Sequence, residues 1–182
     1  MSLIENKDFR WFVYRDNFLS EDECLSIINK IDNSERIESY SEHSVQLSDD
    51  VLKEKYWKLL RLVNTIHYKF DISGIQRDIV YGKRYSHEGG LEEEPHVDFN
   101  SGGGYIDSTT KLTCITYLND DFDGGELQVL NDKIEVKKGR VIIFPSFAAH
   151  KVLQFYKNNR YVLVNFAEGN TFKWNKMTTS NT

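Results

Sequence analysis

The sequence predicts a mainly β fold of the α+β class: a double-stranded β-helix, or jelly roll, buttressed by helices at its N-terminal side. Two observations carry this. Before about residue 75, apolar residues recur at helical spacing; after it, short β-branched and aromatic runs alternate with turn residues. Many short antiparallel strands behind a helical start suggest packed sheets rather than a parallel α/β sheet. With 182 residues and two prolines, the chain can bury a full core and has no Pro-rich linker. The expected organisation is one domain over residues 1–182: mainly helical support over 1–74, a jelly-roll core over 75–168 and a polar tail over 169–182.

Ser20 and Glu23 make a capping box ahead of Cys24, Leu25, Ile27, Ile28 and Ile31, which recur at helical spacing. Ser48 or Asp49 can cap a longer helix running to about Phe70, with Leu52, Tyr56, Leu59, Leu60, Val63, Ile66 and Phe70 on its face. His67 lies at the edge of that stripe and reads as structural. Lys111 to Leu118 is one strand, and Asn119 to Gly125 is a turn cluster. Glu126 to Leu130 and Lys133 to Val136 flank a two-residue turn at Asn131-Asp132. Lys138-Gly139 turns the chain into Arg140 to Phe144, which Pro145 ends. His150 to Tyr156 and Arg160 to Ala167 read as a last hairpin across Lys157-Asn158-Asn159. The Gly- and Ser-rich segment Asn100 to Thr110 reads as a mobile loop that can act as a lid.

Composition is that of a soluble globular chain, 40% hydrophobic and 28% charged, with net charge −5. No basic stripe is present, which argues against a nucleic-acid backbone as partner. Neither a membrane-length apolar run nor a secretory signal pattern occurs, so no membrane partner is expected. Two distant cysteines, Cys24 and Cys114, suggest reduced thiols and a cytoplasmic setting.

The chemistry concentrates in EPHVDFN, FPSFAAHKVLQF and YKNNRYVLVNF. Residues two apart in a strand share a face, so His96 and Asp98 aim an imidazole and a carboxylate at one point. Alone the pair is weak evidence, because a surface loop with two polar residues looks the same. His150, at the start of a strand, supplies a second nitrogen. Together they match a 2-His-1-carboxylate iron site with open positions. Arg160 heads a face continued by Val162, Val164 and Phe166. An unpaired charge there is costly, so it either escapes to solvent or clamps an anionic ligand. Its planar fork suits a carboxylate. Tyr117 alternates with Thr113 and Ile115, and its hydroxyl either donates to the same carboxylate or packs in the core. Tyr85 either borders that ligand or packs. Glu92-Glu93-Glu94 beside the site either favours a basic substrate or is a solvated loop, and His87 reads as loop surface.

These segments resemble the prolyl-4-hydroxylase-like branch of the iron(II), 2-oxoglutarate-dependent oxygenases. DNFLSEDECLSII resembles its helix entry and RYSHEGGLEEEPHVD its Tyr, Gly, then H-x-D segment. LTCITYLNDDFDGGELQVL resembles its Tyr-Leu-Asn turn and Gly-Gly-Glu hairpin. GRVIIFPSFAAHKV and NRYVLVNFAEG resemble its distal-His and basic-residue strands. The resemblance implies that His96, Asp98 and His150 bind Fe(II) and that Arg160 and Tyr117 hold the distal carboxylate of 2-oxoglutarate (2OG), bordered by Tyr85. It implies a dioxygenase that uses O2 and 2OG, sustained by ascorbate, and releases succinate and CO2. The C–H bond hydroxylated would lie in a peptidyl proline or another protein residue, with a free small molecule as the alternative substrate. Collagen-type members carry Lys where Arg160 stands and often Trp near Phe166, which points away from a collagen-type substrate. A non-catalytic jelly-roll binding module needs no dicarboxylate clamp, and a zinc hydrolase would want a general base near the metal water.

Overall fold

The structure is a computed structural model that describes residues 10–35, 37, 43–86, 88, 94–99 and 109–171. The chain opens on β1 (Val13–Arg15), α1 (Glu21–Asp32), β2 (His43–Leu47) and α2 (Asp50–Val63), which runs into a π-helical turn, Asn64–Tyr68. The strands β3 (Gly74–Ile75), β4 (Val80–Tyr85), β5 (Thr110–Tyr117), β6 (Asp123–Gly124) and β7 (Leu127–Val129) follow. The last five are β8 (Asp132–Ile134), β9 (Val141–Pro145), β10 (His150–Val152), β11 (Phe155–Tyr156) and β12 (Arg160–Glu168). The major antiparallel sheet has the order β1-β9-β5-β12-β4-β2, with β3 pairing the end of β12. The strands β10-β7-β8 and the pair β11-β6 form the minor layer.

Strand β5 shows why two layers form. Every residue in it is buried. Leu112 and Cys114 point to the core shared with the helices, whereas Ile115 and Tyr117 point to the core shared with the minor strands. A strand covered on both faces loses the apolar/polar alternation of exposure, and here even Thr110, Lys111, Thr113 and Thr116 are buried. The second core, between the sheets, is the one that holds the polar chemistry.

In α1 the capping box forms: Glu23 N donates to Ser20 Oγ (3.2 Å) and Ser20 N to Glu23 Oε2 (2.7 Å). Cys24, Ile27 and Ile31 are buried, but Leu25, one residue off that stripe, is 57% exposed. Gly82 of β4 is where α1 rests, since a Cβ there would lie 2.6 Å from Ile31 Cγ1. Asp49 caps α2 by accepting from Leu52 N at 3.0 Å. This helix stops short of Phe70. The wider π turn rotates the face, burying Asn64 and Tyr68 and leaving Ile66 exposed. Asn64 then bonds both backbone groups of Phe70 and closes the end.

Three further expectations need correction. The N-terminal third is not helical alone, because β1 pairs with β9 and β2 with β4. The β7–β8 turn falls at Leu130-Asn131, one residue early, with Val129 opposite Asp132 and Leu130 at φ 52°. The last hairpin does not form. β10 pairs with β7 and β11 with β6, while β12 runs between β5 and β4. The Gly-Gly corner causes the break. Gly124 and Gly125 both have positive φ, and backbone bonds Leu153 N to Glu126 O and Gly125 N to Gln154 O bend the chain there. Gln154 is therefore exposed and off the His150–Val152 face. Residues 100–108 of the expected lid and the tail beyond 171 lie outside the described residues.

Candidate metal centre

The segment holding His96 and Asp98 lies antiparallel to the turn before β10. His96 and His150 exchange backbone bonds (2.9 Å each), and Asp98 N donates to Ser146 O (2.9 Å). The spacing of two then turns both side chains toward His150. The ligand atoms of His96, Asp98 and His150 all lie within 4.8 Å of one another. His150 Nε2 is 3.3 Å from Asp98 Oδ2, and His96 Nε2 is 3.7 Å from Asp98 Oδ1.

Backbone carbonyls set the imidazole tautomers. His96 Nδ1 lies 2.9 Å from Glu94 O and His150 Nδ1 lies 3.0 Å from Ala148 O. A carbonyl can only accept, so each Nδ1 carries the proton and each neutral ring keeps its Nε2 lone pair for the centre of the triangle. The His150 side chain is 3% exposed and the His96 side chain 42%, so the triangle is open on the His96 side.

Asp98 is held in turn. Thr113 Oγ1 donates to Asp98 Oδ2 at 2.8 Å, and Ser146 Oγ stands 3.1 Å from Thr113 Oγ1. Burial alone raises the Asp98 pKa. The bond and charge that His150 supplies when its ring is protonated, with smaller help from Thr113 and a protonated His96, outweigh it and leave the carboxyl below its ordinary value. Two neutral nitrogens and one carboxylate with a supporting hydroxyl are the donor set of a facial-triad iron site, so these residues fit the metal.

Arg160 heads β12 at the other end of the same cavity, which is about 90 Å³ and is lined by Lys83, Tyr85, Ile115, Val152, Val162, Val164 and Phe166 with the triangle. Its side chain is 1% exposed, and its Nε and Nη2 have no hydrogen-bond partner. The guanidinium carbon lies 5.2 Å from the Tyr85 ring centre and 5.3 Å from that of Tyr117. Two rings stabilise the charge from their faces but cannot accept its N–H bonds. Two orphaned donors on a buried cation are costly unless a ligand oxygen meets them, and a carboxylate matches the fork.

Tyr85 sits opposite Arg160 in the β4–β12 register and lines the same cavity. They differ on Tyr117. Its hydroxyl donates to Gly125 O (3.1 Å) and accepts from Leu127 N (3.0 Å), so its one proton is committed to the Gly-Gly corner. Burial pushes this phenol up while Arg160 acts against the shift. Tyr117 therefore meets Arg160 with its ring. His67 is far from this chemistry in role, packing beside Tyr68. Glu94 is exposed and contributes its carbonyl, whereas Glu92, Glu93 and His87 lie outside the described residues. Sequence reasoning missed the support that Thr113 gives Asp98, and alternation with Tyr117 was the available signal.

Jelly roll, ligand triangle and buried cation together form an arrangement that a non-haem iron site could use. Residues 82–168 match the family model of the 2OG-Fe(II) oxygenase superfamily. A PKHD-type hydroxylase of Prochlorococcus marinus is 34% identical over 87 residues; the match spans 43% of this chain and only 37% of that relative. Among solved structures, a viral collagen prolyl hydroxylase of Paramecium bursaria Chlorella virus-1 in a 2OG complex superposes with TM-score 0.70. It is 20% identical over 88% of this chain and 96% of its own. A Pseudomonas putida prolyl-4-hydroxylase gives TM-score 0.70 at 15% identity, over 87% and 92%. A Phytophthora capsici prolyl 4-hydroxylase gives 0.63 at 25% identity, over 89% and 60%. These likenesses establish the double-stranded β-helix fold. Among the described residues no helix is long and apolar enough to cross a membrane.

Proposed function

We propose that this chain is an Fe(II)- and 2OG-dependent dioxygenase that hydroxylates a C–H bond, in a peptidyl proline or another protein residue. The observation that carries the reading is the pairing, in one cavity, of an open His-Asp-His triangle with a buried arginine whose Nε and Nη2 lack partners. His96, Asp98 and His150 would hold the iron. Arg160 would seat the distal carboxylate of 2OG, with Tyr85 and Tyr117 as its aromatic walls. Once bound, iron and 2OG supply O2 activation, coupling release of succinate and CO2 to hydroxylation. The protein's own share is positioning. Thr113 steadies Asp98, the two carbonyls hold the imidazoles, and Val162, Val164 and Ile115 make a dry wall between the two ends.

The peptidyl substrate is favoured by the names of the relatives, a PKHD-type hydroxylase and prolyl hydroxylases. Ascorbate would keep the iron reduced between turnovers, and residues 1–182 would act as one domain in the cytoplasm, where buried Cys24 and Cys114 remain thiols. Succinate release, measured with Fe(II), ascorbate and 2OG, tests the reading. The expected result is O2-dependent succinate formation that increases with a proline-bearing peptide. Tight metal binding without any 2OG consumption would instead favour a non-catalytic binding module.

A further inference from the structure

We propose that Ser146 is a positioning residue of the metal centre: with Thr113 it closes a clasp that sets the Asp98 carboxylate before iron arrives. The inference rests on the metal-site part of the hydroxylase reading above and adds to it the group that stands behind Thr113. Asp98 lies outside any strand, in a segment joined to the sheet by the His96–His150 bridge. A carboxylate on such a segment needs holding. Two bonds hold it, and both lead to Ser146. Asp98 N donates to Ser146 O (2.9 Å). Asp98 Oδ2 accepts from Thr113 Oγ1 (2.8 Å), which lies 3.1 Å from Ser146 Oγ. One residue therefore grips the backbone of Asp98 directly and its side chain through Thr113.

Proton counting fixes the direction of the chain. A hydroxyl has one proton to give, and an ionised carboxylate only accepts. The Thr113 proton is spent on Asp98, so the contact with Ser146 is a hydrogen bond only if Ser146 donates. Thr113 and Ser146 are both 0% exposed, and solvent does not compete for either hydroxyl. A donated bond polarises the hydroxyl that receives it and strengthens the bond which that hydroxyl gives. The same strand supplies a contrast. Thr116 Oγ1, on the opposite face of β5, accepts from Tyr56 Oη (2.6 Å), a bond that ties α2 to the sheet. The hydroxyls of Thr113 and Ser146 tie no such element, because β5 and β9 are already paired by backbone from Leu112↔Pro145 to Thr116↔Val141. What they add is the hold on Asp98.

The test is anaerobic calorimetry of Fe(II) into the metal-free full chain, with the visible spectrum of the Co(II)-loaded protein as a second readout. Ser146→Ala should weaken Fe(II) binding about three- to tenfold, as loss of one neutral hydrogen bond allows. Thr113→Val should weaken it about tenfold or more, the usual cost of removing a ligand's outer partner. Both should shift the Co(II) bands, and Thr113→Ser should restore affinity and bands. The double variant should bind within about twofold of Thr113→Val, because the two hydroxyls act in series. Thr116→Val should lower Tm yet leave Fe(II) affinity within about twofold of wild type. Unchanged affinity and spectrum in Ser146→Ala, additive losses in the double variant, or an equal loss in Thr116→Val overturns the clasp and leaves the hydroxylase reading intact. If Thr113→Val does not fold, Ser146→Ala decides alone. A wild type that binds no Fe(II) overturns both, and Fe(II) binding without 2OG consumption overturns the hydroxylase reading while the clasp stands.

Discussion

Two buried arginines head strands on the same sheet, and they differ in how their hydrogen bonds are met. Arg140, just before β9, is 6% exposed; Arg160, at the start of β12, is 1% exposed. Each lies over aromatic faces, Arg140 at 4.5 Å from the Tyr14 ring and Arg160 between Tyr85 and Tyr117. Arg140 is fully bonded, through Nε to Asp16 Oδ1 (2.6 Å), Nη2 to Asp16 Oδ2 (3.3 Å) and Nη1 to Glu135 O (2.8 Å). Arg160 has an aromatic cage and two donors with nothing to receive them. The lesson is that burial of a charge does not distinguish structure from function. The accounting of its hydrogen bonds does: a cation satisfied from within ties the fold, and one left open awaits a ligand.

The largest effects should come from the end of the cavity opposite Arg160. His96→Ala, Asp98→Ala and His150→Ala should each abolish succinate formation and iron binding with circular dichroism preserved, whereas His67→Ala should retain both. Full activity in any triangle variant would remove that residue from the site. Next comes the contrast between the arginines in thermal stability. Arg140→Ala should lower Tm by roughly 3–10 °C, from lost charge-assisted bonds of about 1.5–3 kcal/mol. Arg160→Ala should lower it little, because no hydrogen bond of Nε or Nη2 is lost. A large fall in Tm for Arg160→Ala alone would erase the distinction.

Tyr117→Phe sharpens the comparison further. It keeps the ring beside Arg160 but strands the buried Leu127 N–H, so stability should fall by about 1–3 kcal/mol while the affinity for 2OG stays near wild type. A shift in 2OG affinity without a stability loss would return the hydroxyl to the ligand. The smallest effect is at acid pH. Hydrogen bonds from Arg140 and then Lys137 hold Asp16 at a pKa of about 2, below its unfolded value. Between those values the unfolded chain binds more protons, so stability rises with pH there. The contribution is present above the unfolded pKa and is lost as pH falls toward 2. Asp16→Asn should flatten Tm against pH in that window; an unchanged slope would show that the pair is not what ties this corner.

The sequence made the candidate site legible because its signals are local. An H-x-D pair, a His opening a strand and an Arg heading one each declare themselves within a few residues. It could not separate Arg160 from Arg140 by pattern, since GRVIIF and NRYVLVNF look alike and the partner of Arg140 lies 124 residues away. The helices were readable from caps and spacing, but the π turn that exposes Ile66 gives no local sign. Strand pairing was the weak point. His150 to Tyr156 and Arg160 to Ala167 suggest neighbours because they are close in sequence, yet the jelly roll pairs each with distant strands across different layers. β1 and β2 are three and five residues long, and β2 (HSVQL) mixes polar and apolar residues at a sheet edge. Their place is set by β9 and β4 rather than by their own pattern. Tyr117 shows the same limit, for its face was legible but its hydroxyl's backbone partners were not.

The central claim is that the two open nitrogens of Arg160 are the seat of the 2OG carboxylate. Calorimetric titration of 2OG into the Fe(II)-loaded protein without O2, wild type beside Arg160→Ala and Arg160→Lys, tests it most directly. The account predicts at least about tenfold weaker binding for Arg160→Ala, equivalent to 1.4 kcal/mol, with an intermediate loss for Arg160→Lys and unchanged iron affinity in both. Equal 2OG affinity in wild type and Arg160→Ala would contradict it.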